Sequence, residues 1–76
     1  MFRKMVSFTI HKDDSNKVID TLSRFGECGM HLTKDGKGYN VSVICEAKSF
    51  RKCMDNMMLL SFEGVSIWNM DIRMSL

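Results

Sequence analysis

Asp35-Gly36, inside the segment Lys34-Asp35-Gly36-Lys37-Gly38, lies midway along a chain whose apolar residues alternate on both sides of it. An Asp-Gly pair in that setting is the strongest short-range signal of a tight β-hairpin, because the turn needs positive φ angles that Gly and Asp tolerate. A strand and a helix are readable before the pair, and a strand, a helix and a strand after it. The element order is therefore βαββαβ, with Gly36 expected at φ > 0.

Strand one, from Arg3 to Ile10, sets Val6, Phe8 and Ile10 against Met5, Ser7, Thr9 and His11, the period-two pattern of a half-buried strand. Asp13, Asp14 and Ser15 offer N-cap oxygens to a helix that runs to about Phe25, with Val18, Ile19, Leu22 and Phe25 on its buried stripe and Gly26 as its stop. Strand two, Glu27 to Lys34, turns Cys28, Met30 and Leu32 inward, and Gly29 weakens it as suits an edge. Strand three shows the clearest alternation, Tyr39, Val41, Val43 and Cys45 inward, and belongs in the sheet centre. Ser49 is placed to cap helix two, which buries Phe50, Cys53, Met54, Met57 and Leu60 and carries Lys52, Asp55 and Leu59 on its far side. Strand four, Val65 to Met74, puts Trp68, Met70, Ile72 and Met74 inward and Ile67, Asn69, Asp71 and Arg73 outward.

Short connections and right-handed crossovers leave one economical topology, a four-stranded antiparallel sheet in the order 4-1-3-2 with both helices on one face. The whole chain, 1–76, resembles as one α+β domain the ferredoxin-like two-layer sandwich. The element order is also similar to that of the ACT family of regulatory domains, a resemblance of topology that implies a small-ligand sensor with its site at a dimer interface. Apolar residues at 45%, charged residues at 26% and no Pro describe a globular chain rather than a disordered one. Cys28, Cys45 and Cys53 are odd in number, lack Cys-x-x-Cys spacing and follow no signal peptide, which implies reduced thiols and a cytoplasmic setting. Met57 to Leu60 is the longest apolar run, far below the ~20 residues of a membrane span, so a soluble protein is expected.

No residue pattern specifies a reaction. Lys37-Gly38-Tyr39 resembles the start of the third strand of the RNA-recognition motif, whose aromatics stack on bases from the open sheet face. Stacking would need Tyr39 and Val41 outward, which would put Asn40 and Ser42 in the core at a cost of ~1 to 3 kcal/mol each. His11 and His31 fall on strands separated by strand three, so no metal site is expected. All three Cys take inward positions, where a thiol is a small hydrophobe rather than a nucleophile. Ferredoxin-like acylphosphatases carry a Gly-rich anion loop with an Arg after strand one, whereas His11-Lys12-Asp13-Asp14 stands here and would repel phosphate. A non-enzymatic domain without cofactor follows.

Charge placement and one edge remain. Net charge is +2, yet Arg3, Lys4, Arg24, Lys48, Arg51, Lys52 and Arg73, seven of eleven basic residues, gather at one end. Lys48, Arg51 and Lys52 oppose the dipole at a helix start, which an anion or nucleic acid would compensate and Glu27, Glu46, Asp55 and Asp71 would neutralise in place. Strand four is a long edge without Pro or a central Lys. The leading expectation is an interaction or regulatory domain, of adaptor or inhibitor type, that acts through this edge with Leu59, Ile67, Asn69, Asp71 and Arg73 in the contact. Its partner would be another protein or a second copy of the chain, and a phage-encoded inhibitor fits equally well. Nucleic-acid or anion binding through Arg3, Lys4, Arg24, Lys48, Arg51 and Lys52 is the alternative, and ACT-like ligand sensing the third.

Overall fold

The computed structural model describes residues 2–75. Its elements are β1 (Arg3–His11), α1 (Ser15–Leu22), β2 (Gly26–Leu32), β3 (Gly38–Glu46), α2 (Phe50–Phe62) and β4 (Ile67–Ser75). The four strands form one antiparallel sheet in the order β2-β3-β1-β4, which read from the β4 edge is 4-1-3-2. Val6, Phe8 and Ile10 of β1 and Val41, Val43 and Cys45 of β3 bury one sheet face against Val18 and Leu22 of α1 and Cys53, Met57 and Leu60 of α2. Both helices therefore cover the same face. Each such side chain contributes about 1.5 to 3 kcal/mol of apolar burial.

Gly36 has φ 74, as the hairpin requires. The connection is a loop of residues 33–37 rather than a two-residue turn, and Asp35 organises it by accepting from the Thr33 hydroxyl at 2.6 Å and the Lys37 amide at 3.0 Å. The expected helix caps are not made. Three-residue 3-10 turns, Lys12–Asp14 and Ala47–Ser49, wind directly into α1 and α2. Asp14 and Ser49 thus sit at ψ 0 and −7, outside the extended geometry that aims a side chain at the first free amides, and neither makes a cap bond. Gly26 opens β2 instead of stopping α1, and a Cβ there would lie 1.8 Å from the Ile44 carbonyl oxygen.

The largest departure from period-two reading is in β4. Ser7 pairs with Asp71 and Thr9 with Trp68, so the single residue Phe8 faces two residues, Asn69 and Met70. Asn69 takes φ 55, the left-handed geometry that Asn accepts more readily than branched residues, and this makes a β-bulge. The extra residue inverts the facing of everything before it. Ile67, expected outward, lies opposite Ile10 and packs half-buried against the core. Trp68, expected inward, lies opposite Thr9 on the open sheet face.

Candidate functional site

Four features bear chemistry or contact, and the bulge arranges the first. Beyond Asn69, Met70, Ile72 and Met74 face the helix layer, Ile72 opposite Val6 and Met74 opposite Lys4. The helices do not reach far enough to cover them, and they remain 44, 45 and 64% exposed. Between α2 and this strand runs a groove of about 190 Å³ walled by Met54, Met57, Met58, Ser61, Ile67 and Met70. Asp71 and Arg73 stand on the open face, joined at 2.8 Å. Of the side chains expected at the contact, Asp71 and Arg73 line the free edge, Asn69 forms the bulge and Ile67 turns inward. Leu59 is exposed, but it lies about 100° around the helix from Met58 and outside the groove wall.

At the opposite end of β1 from Trp68 lie Arg3 and Lys4, and several of the basic residues are already engaged. Lys48 pairs with Glu46 at 3.3 Å, Arg73 with Asp71, and the Lys4 ammonium lies 4.1 Å from the centroid of the Phe50 ring. Arg3 shares a recess of about 410 Å³ with Glu27, Glu46 and Lys48, so that hollow carries both signs. Arg24, Arg51 and Lys52 stand exposed. The first turn of α2 holds no acidic residue to answer Arg51 and Lys52.

The bulge puts an aromatic, Trp68, on the open face. With Thr9, His11, Asn40 and the 33–38 loop it bounds a shallow recess of about 530 Å³. The Thr9 hydroxyl donates to Asn40 Oδ1 at 3.0 Å, and His11 Nδ1 accepts the Asp13 amide at 3.3 Å. Hydrogen bonds from Thr33 and Lys37 hold the Asp35 carboxyl below its ordinary range, so it is an occupied structural acceptor rather than a base waiting for a proton. Among the described residues no group of three His, Cys, Asp or Glu is placed to hold a metal ion.

Cys45 and Cys53 are buried, and Cys28 partly so. Burial raises all three thiols, Cys53 to about 11. Each is therefore protonated near neutrality, the unreactive form. Comparison with protein-family models, with characterised proteins and with solved structures returns no match. Function rests on the geometry of this chain.

Sequence reasoning missed the exposure of Met58, Met70, Ile72 and Met74 and the open-face place of Trp68. A signal was present: Asn is a poor strand former and a ready occupant of the left-handed region, so Asn69 inside a strand marks a bulge.

Proposed function

We propose that this chain is a ferredoxin-like sandwich serving as a small non-enzymatic interaction or regulatory domain, which joins a protein partner or a second copy through the β4 edge. The observation that carries this reading is the row Met70, Ile72 and Met74, exposed on the helix side of a strand whose outer backbone groups have no neighbouring strand among the described residues. Natural edges are blunted by Lys, Pro or a cover. This one offers backbone groups for strand addition and an apolar row to bury beside them. The test uses Ile72→Lys, a charge aimed at the seam, and hydrogen exchange of β4 in each complex the full chain forms. Protection of residues 70–74, lost together with binding in Ile72→Lys, supports the reading. A complex indifferent to both overturns it.

A second reading, anion or nucleic-acid binding, rests on Arg51 and Lys52, exposed on an α2 first turn free of acidic residues. Phosphate binding of this kind weakens steeply with salt and flattens in slope when the two residues become Ala. Absence of binding to any RNA or DNA at low salt would remove it.

A further inference from the structure

Met70-Asp71-Ile72-Arg73-Met74 reads the same in both directions about Ile72, with Asp71 and Arg73 as complements. On the edge strand this symmetry has a geometric meaning. Two antiparallel copies of one strand related by a two-fold axis pair residue k with residue 2c − k about a centre c, and directly opposed side chains lie on the same sheet face. Centring on Ile72 sets Asp71 against the partner's Arg73 and Arg73 against the partner's Asp71 on the open face. On the helix face it sets Ile72 against its own copy and Met70 against Met74.

Neighbouring registers fail by charge. A centre at Asp71 opposes two carboxylates, and one at Arg73 opposes two guanidinium groups, whereas like charges directly opposite destabilise a pair of strands. In the free chain Asp71 and Arg73 satisfy each other along the strand at 2.8 Å, both still well exposed. Across the axis the two pairs form a closed square of alternating charge. The bulge at Asn69 bends the strand just where the symmetric segment ends, which limits the register to the segment that matches.

We propose that a second copy of this chain is the occupant of the β4 edge, paired antiparallel about Ile72 into one continuous eight-stranded sheet with all four helices on one side. The inference rests on the edge reading above and adds its partner and register. Sedimentation equilibrium of the full chain up to millimolar concentration should show twice the 8.8 kDa chain mass. Asp71→Arg and Arg73→Asp, each alone, turn both opposed pairs like-charged and should weaken association about 30-fold. The double exchange Asp71→Arg with Arg73→Asp keeps the composition and should restore the homodimer, a result the two neighbouring registers do not give. Both positions are exposed, and circular dichroism checks that each variant is folded. A wild type that stays monomeric, or a dimer that the single exchanges do not weaken or the double exchange does not restore, overturns the proposal. The edge reading falls separately: it survives a monomeric wild type if a different protein is bound by the wild type and released by Ile72→Lys, and fails if that variant changes nothing.

Discussion

Along β2 the helix-facing side chains Cys28 and Met30 lie half-buried against the core and Leu32, at the strand's end, is 58% exposed, whereas along β4 three such side chains, Met70, Ile72 and Met74, stand 44 to 64% exposed. Both strands are edges of the same sheet. β2 has seven residues, two of them Gly, and gives little for another chain to grip. β4 has nine, and its bulge turns Ile67 into the core while the residues beyond it keep an apolar row outside the cover of α2. The fold shortens one side and covers it up to Met30, and it leaves the other long and apolar. This exposed row beside the outward backbone groups of an edge strand is what supports the proposed contact.

The largest expected effect breaks the closed side. Gly26→Val places a branched side chain where a Cβ would meet the Ile44 carbonyl oxygen at 1.8 Å, with backbone on both sides of the clash. β2 must separate from β3, at about 3 kcal/mol or more, and denaturant midpoints should fall accordingly. An unchanged midpoint would show that β2 is free to shift and is not held closed by this approach.

A matched pair of truncations reads the asymmetry directly. Met30→Ala removes a half-buried side chain and should cost about 1 to 2 kcal/mol, while Met74→Ala in the monomer should cost under about 0.5 kcal/mol. Equal losses in dilute solution would mean that the two edges are covered alike, and the contrast would be gone.

The element order, the central place of β3 and the core of β1 and β3 were legible because they depend on alternation and on short connections, both written in the residue pattern. The facing of Ile67 and Trp68 was not, since one left-handed residue at Asn69 shifts the period by one and no average over a window registers it. The caps misled for a related reason. Asp14 and Ser49 have the right chemistry, but the preceding 3-10 turns leave them with coiled rather than extended backbone. Gly26 has two roles compatible with a helix end, and the choice between stop and close approach lies in where Ile44 passes. Asp71 and Arg73 were legible as edge residues, while the exposed methionines depend on how far α2 reaches.

A gentler probe of the closed side is pH. Burial holds the Cys53 thiol up from 9.0 to about 11, with Cys28 and Cys45 raised in the same direction. The unfolded chain ionises first as pH rises, so the native state binds more protons in this window. The thiol's contribution to stability is fully present below pH 9.0 and is lost as pH rises toward 11. Cys53→Ala removes that group and should flatten the decline in midpoint across the window, separating it from Lys and Tyr titration. A decline identical in the variant would show that this thiol does not contribute.

The smallest effect tests the open side's bulge. Asn69 stands at φ 55, where Gly carries no steric penalty, so Asn69→Gly relieves mild left-handed strain while adding freedom to the unfolded chain. The two terms oppose, and the net change should lie within about 0.5 kcal/mol. Trp68 reports whether the bulge persists, because its emission and its quenching by acrylamide depend on its place on the open face opposite Thr9. Both should match the wild type. A loss above about 1 kcal/mol, or a blue shift of the indole, would show that the Asn69 side chain rather than backbone geometry holds the bulge. The inward turn of Ile67 and the open-face place of Trp68 would then rest on one amide group instead of on the left-handed turn of the strand.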